Sequence, residues 1–418
     1  MLERLKSNRL TQNIFSLLTL RGIDYVLNFV MLPFLLRMLG AEKFGSIVFM
    51  QSIVQYMVVA VDYGFNMTAP RDIARASDEQ AIGRIFSDVM ASKLLIAGVL
   101  IILTAIAIAL MPPTVDFDLP LLLAVMPTVL GNIAFPVWFF QGIQQMKFIT
   151  ISVTAARLLI LLAMFATIEK PDDYLLAAFL QSGMMIVAGL LSFGIILRQY
   201  RYVFVRPTLD GIIQSLKDGR EIFVSTVAIN LYTTTNIVIL GLMTNAEAVG
   251  FFGAANKLID SVKGLMGAIS NAVYPHVSAK VKESPRGAIE FIKKFGKMYV
   301  GLFFVISALM SLFAAPIVKL LFGEGYQQTI EILRLMAWLP FIISLSNVFG
   351  IHFMLNFGLQ NLFGRILIAA AVLDFLLIFP FTTGLGNFGV ALVMVLVEIF
   401  VTGAMAYSIR NEELGIRN

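Results

Sequence analysis

The chain has 418 residues, 59% of them hydrophobic and 14% charged, with a mean hydropathy of +0.87, far from the near-half apolar and quarter charged composition of a soluble domain. Its net charge of +5 and pI near 9.3 do not indicate nucleic acid, because Lys and Arg gather in short connections between apolar runs, as membrane topology requires. There is no cysteine and only two separated histidines, His276 and His352, which excludes disulfides and thiol chemistry and argues against a transition-metal site.

The amino terminus, MLERLKSNRL, is basic, and the apolar run after it is too long for the core of a signal peptide, so it reads as a retained first helix. Runs of bilayer-crossing length then recur at about 13–36, 44–66, 89–111, 120–142, 150–168, 174–197, 221–243, 248–274, 297–315, 328–350, 364–382 and 388–409. Continuous apolar runs of this length satisfy their backbone in lipid only as helices, so the expected class is an all-α polytopic membrane protein with about 12 transmembrane helices. Pro33, Pro127, Pro136 and Pro340 fall inside these spans and each favours a kink.

Basic residues alternate from side to side. The amino terminus and the second, sixth and eighth connections carry Arg4, Lys6, Arg9, Arg71, Arg75, Arg84, Arg198, Arg201, Arg206, Lys217, Arg220 and the cluster Lys280–Lys297. The opposite connections hold only Lys43, Lys170 and Lys319 among several acids. This asymmetry predicts both termini in the cytoplasm. The outer connections are all short, so function must reside in the helix bundle.

The basic segment 198–220 divides the chain near its middle and predicts two six-helix lobes, 1–205 and 221–418, joined by a linker at 206–220. LGAEKFG (39–45) follows the first helix and TNAEAVG (244–250) the seventh; Ala41, Glu42 and Gly45 match Ala246, Glu247 and Gly250 at an offset of 205. Six helices per repeat give both halves the same orientation. The lobes would then be related by a pseudo-two-fold axis along the membrane normal, with a site between the halves.

Charges inside the spans mark the candidate site, since each costs about 2.5–3.5 kcal/mol at mid-bilayer and so faces the bundle interior or water. Arg21 and Asp24 share one face of helix 1. Helix 2 carries Gln51, Gln55 and Asp62, helix 5 Arg157, helix 7 Asn230 and the turn Thr233 to Asn236. Lys257, Asp260 and Lys263 form one stripe on helix 8. The bland reading of each is a structural pair, a snorkelling lysine or a threonine bonded to its own backbone. The functional reading is the lining of a hydrated cavity: Arg21, Asp24, Gln51, Gln55, Arg157, Asn230, Lys257, Asp260 and Lys263. Its cationic members would attract an anionic cargo. Asp24, Asp62, Asp260, Asp374 and Glu398 are candidates for a coupling-ion site. Arg37 and Lys93 are expected at membrane interfaces, and Arg334 near the outer end of helix 10.

LGAEKFGSIVF (39–49), VDYGFNMTAPRDIARA (61–76) and GNFGVALVMVLVE (386–398) resemble the polysaccharide flippases of bacterial inner membranes, the O-antigen (Wzx-type) transporters related to MATE exporters and lipid II flippases. The resemblance spans essentially the whole chain. It implies a two-lobed bundle that alternates between inward and outward openings. The implied cargo is an oligosaccharide on undecaprenyl pyrophosphate, moved from the cytoplasmic to the periplasmic leaflet. Coupling to H⁺ or Na⁺ would supply the energy, no further cofactor being expected. A polysaccharide polymerase and a chain-length regulator are the implied protein partners. Arg21 and Asp24 fit the cationic cavity of related flippases, and Asp62 to Phe65 with Arg71 match the family's gate or packing segment. No nucleotide-binding motif occurs and no enzymatic activity is expected. A multidrug exporter of the same superfamily is the alternative, which the intramembrane Arg and Lys argue against. A polymerase is a weaker one, given the short outer loops.

Overall fold

The computed structural model describes the backbone of residues 2–112 and 117–416, and the side chains of 30–112, 117–227, 230 and 234–410. Every regular element among them is helical: α1 (Leu2–Asp62), α2 (Phe65–Arg75), α3 (Glu79–Ala109), α4 (Leu119–Val125), α5 (Pro127–Ala134), α6 (Val137–Gly142), α7 (Lys147–Thr167), α8 (Tyr174–Gln199), α9 (Leu209–Thr233), α10 (Thr235–Met243), α11 (Ala246–Glu283), α12 (Pro285–Leu312), α13 (Ala314–Phe322), α14 (Gln327–Met336), α15 (Leu339–Asn347), a π-helical turn (Val348–Met354) and α16 (Gln360–Ile416).

These elements make twelve passes. The helical run α1 holds two, parted at Gly40 (φ 73°, ψ 173°), and α16 two more, parted at Gly386 (φ 58°, ψ −133°). Both conformations are costly for any residue with a Cβ, so glycine sets where each bend falls. Eight helical stretches between residues 30 and 410 are long and apolar enough to cross a bilayer by composition alone; α11, with three charges at its centre, is not one of them. Three of the four predicted kinks are helix breaks: Pro127 opens α5, Pro136 precedes α6, and Pro340 lies in the first turn of α15. Pro33 sits within α1, whose break falls at Gly40 instead.

The chain divides into two compact units, Met1–Met31 with Ile47–Thr235, and Leu32–Ser46 with Asn236–Asn418. In the first, an aromatic core gathers one end of α2, α3, α6, α7 and α8. Trp138, Phe139 and Phe140 are fully buried there, and Phe86 meets Trp138 and Phe139 at centroid distances of 5.5 and 5.2 Å. The connection after α8 is tied to α3 by polar contacts. Ser87 Oγ donates to the Val203 carbonyl (2.9 Å), and the buried Asp88 accepts the Thr208 amide (2.8 Å) just before α9. At the turn between α1 and α2, Tyr63 (φ 43°) stacks on Phe223 of α9 at 4.5 Å.

In the second unit the two repeated segments meet each other. A methyl group added to Gly45 would land on the Ala246 carbonyl, and one added to Gly250 on the Ala41 carbonyl. The contact is reciprocal at the offset of 205, each copy's glycine admitting the other's backbone. Nearby, Arg37 donates from Nε to the Leu321 carbonyl (2.8 Å) and also to that of Leu320, satisfying carbonyls that the end of α13 leaves open. The Tyr326 hydroxyl donates to the Leu36 carbonyl at 2.7 Å.

Candidate functional site

The polar face of α11 is laid down by its packing. Asn245 caps the helix by accepting the Ala248 amide at 2.8 Å. Val249, Phe252, Gly253, Ala255, Leu258 and Ile259 are buried on the core side. Lys257 and Asp260 are exposed and Lys263 is partly so. Asp260 is bracketed along this face, accepting from Asn256 Nδ2 (3.0 Å) and pairing with Lys263 Nζ (3.3 Å). Lys257 lies about 17 Å along the helix from Ala246 and Lys263 about 26 Å, within the depth of a ~30 Å hydrocarbon layer.

A second carboxylate approaches the same stripe. Glu398 of α16 accepts from Ser346 Oγ of α15 (2.7 Å) and lies within electrostatic reach of Lys263. The structure thus brings three predicted residues, Asp260, Lys263 and Glu398, into one cluster of the second unit. Lys263 stands between two acids, and Lys257 has no carboxylate partner among the described residues. The local charge is therefore mixed rather than uniformly cationic.

Two further acids have other partners. Asp374 of α16 is 5% exposed and accepts from Asn236 Nδ2 of α10 (3.2 Å), while the Asn236 carbonyl oxygen has no partner. In the first unit, Asp62 accepts from Lys93 Nζ of α3 (2.8 Å) and from Asn132 Nδ2 of α5 (3.3 Å); Lys93 also reaches Asn132 Oδ1 (3.2 Å). Lys93 is 1% exposed. Expected at a membrane interface, Lys93 is enclosed by protein, roughly four turns after α3 begins at Glu79.

The remaining predicted residues of the first unit do not converge on one point. Gln51 bonds Gln181 of α8 (3.3 Å), Gln55 is exposed, and Arg157 is half-buried on α7. Asn230 donates to the Thr226 carbonyl of its own helix (2.9 Å), and Thr235 shares a 2.6 Å hydrogen bond with Tyr56. Arg21 and Asp24 lie outside the residues whose side chains are described, as does Thr233. Arg334 is exposed. Sequence reasoning did not single out Lys93 with Asn132, Asn236 with Asp374, or Ser346 with Glu398. Each pair is far apart in the chain; Lys93, Asn236, Asp374 and Glu398 each stood out singly as polar residues in apolar runs, whereas Asn132 and Ser346 carried no such signal.

The family described as "Polysaccharide biosynthesis protein" matches residues 10–280. The "Putative O-antigen transporter" of Escherichia coli (strain K12) is 36% identical over 97% of this chain and 98% of its own, and that of Shigella dysenteriae is 27% identical over 96% and 100%. Among solved structures, the lipid II flippase MurJ in an inward closed conformation covers 96% of this chain and 87% of its own with a TM-score of 0.72 at 15% identity. An inward-facing MATE-family multidrug resistance transporter of the MOP superfamily covers 94% and 99% with a TM-score of 0.69, also at 15% identity. These structural likenesses concern the fold.

Proposed function

Since the chain belongs to the polysaccharide biosynthesis protein family, we propose that it is the flippase for an undecaprenyl-pyrophosphate-linked oligosaccharide of O-antigen type, carrying it from the cytoplasmic to the periplasmic leaflet. The coarser frame is secure: this is a multi-pass membrane protein whose relatives are named as transporters and flippases. The observation that carries the finer reading is the face of α11. Charges set this deep are costly against lipid, and this face is left unpacked by its own unit, so it borders water. Lys257 supplies an ammonium for phosphate, while Asn256 and Asp260 can meet sugar hydroxyls.

Placement in the bacterial inner membrane with both termini cytoplasmic rests on the Lys and Arg asymmetry. The drive in this reading is an ion, H⁺ or Na⁺, taken up at Asp374. A carboxylate enclosed with one amide and no cation partner among the described residues needs a proton or a metal cation to be stable there. The unpartnered Asn236 oxygen beside it is a ready ligand.

The test is a strain lacking the gene, in which the leaflet holding the lipid-linked repeat unit is determined. Units trapped facing the cytoplasm, with loss of surface polymer and rescue by the gene, are expected. Units that reach the periplasm unpolymerised would point to a polymerase instead. An unchanged surface would make a drug exporter the leading reading. Within the rescued strain, Lys257→Ala should lower transport about tenfold while the protein accumulates normally, a loss in the range of one charge-assisted hydrogen bond.

A further inference from the structure

The α11–α12 corner carries a basic cluster that the transport reading uses only to orient the chain. Residues 280–297 contain six basic side chains against two acidic ones. In α12 the outward face changes character at a single step. It reads Arg286, Glu290, Lys293, Lys294 and Lys297, all exposed, and then Met298, Leu302, Val305, Leu309 and Leu312, also exposed. The opposite face, from Ala288 through Ile292, Phe295, Tyr299 and Phe303 to Ser307, is buried. The apolar row from Met298 to Leu312 runs about 21 Å along the helix, so the step from Lys297 to Met298 marks where hydrocarbon begins. At that step Glu290, Lys293, Lys294, Lys297 and Met298 of this one helix face border a shallow, open surface depression.

The arrangement has the two halves of a lipid site. Three lysines, at positions i, i+1 and i+4, share this exposed face with Glu290 at headgroup depth, and Met298, 70% exposed, follows on the acyl side. Basic residues clustered just outside a membrane helix attract anionic lipid; here three sit on one helix face directly above exposed apolar side chains. We propose that this lysine face holds the phosphate of an anionic phospholipid from the adjoining leaflet, fixing the α11–α12 corner to the membrane surface. The proposal does not depend on what the protein transports.

The experiment uses the purified full-length chain in neutral detergent, with binding of phosphatidylglycerol and phosphatidylcholine compared at low and high salt. Wild type is expected to prefer phosphatidylglycerol, with the preference falling about tenfold or more in the triple variant Lys293→Gln, Lys294→Gln, Lys297→Gln. The double variant Lys217→Gln, Arg220→Gln, which alters basic residues elsewhere, should keep it. Salt titration of wild type tests the same point should the triple variant not accumulate, and loss of the preference at high salt is expected. A preference that survives the triple substitution or high salt would overturn the proposal. So would equal binding of both lipids.

Discussion

Asp62 in the first unit, partly exposed, and Asp374 in the second, buried, are both carboxylates held among helices, and the structure meets their charges in opposite ways. Asp62 is matched by the ammonium of Lys93 and the amide of Asn132. Among the described residues, Asp374 has the amide of Asn236 alone. A compensated carboxylate is complete within the protein, whereas an uncompensated one requires something from outside. Glu398 falls between them, with a hydroxyl at 2.7 Å and Lys263 within electrostatic reach. The number of buried acids in a membrane bundle is thus less informative about ion coupling than what each acid already holds.

The largest effect should come from breaking the complete pair. Lys93→Met removes the ammonium from Asp62, which keeps Asn132 and some access to solvent, and should cost about 2–3 kcal/mol of stability, seen as a lowered unfolding temperature and poor accumulation. Adding Asp62→Asn to that variant should restore most of it; if it does not, the pair has a role beyond mutual neutralisation. Asp374→Asn should behave the other way. It removes the charge without unbalancing anything, so the protein should accumulate normally while ion-driven uptake into vesicles falls about tenfold or more. Unchanged transport under an imposed H⁺ or Na⁺ gradient would strike Asp374 from the coupling site. The smallest effect is expected at the intermediate acid: Ser346→Ala removes one hydrogen bond to Glu398 and should lower stability by about 1 kcal/mol, read from thermal unfolding in detergent.

Much of the fold was legible in the sequence because its signals are local. Twelve apolar runs gave twelve passes, and Pro127, Pro136 and Pro340 marked real breaks. What escaped was partnership. Lys93 read as an interfacial residue near the start of the apolar run at residue 89; α3 itself starts earlier, at Glu79, and the burial of Lys93 against Asp62 has no local signal. Hydropathy finds where lipid-compatible sequence begins, not where a helix does. Of the candidate site, the α11 stripe was readable from its spacing, whereas Glu398 beside Lys263 and Asn236 beside Asp374 come from separate helices. The intrahelical bond of Asn230 agrees with the bland reading that such polar groups often satisfy their own backbone.

The reciprocal seat of Gly45 and Gly250 has a consequence for how this chain can change. Each glycine is kept small by the other copy's main chain, so neither repeat can acquire a side chain there and be rescued by an altered side chain opposite. Only a matched shift of both backbones would make room. The two halves therefore hold each other's history in place at this point, and a fragment carrying one copy alone would leave its glycine notch without the surface that shaped it.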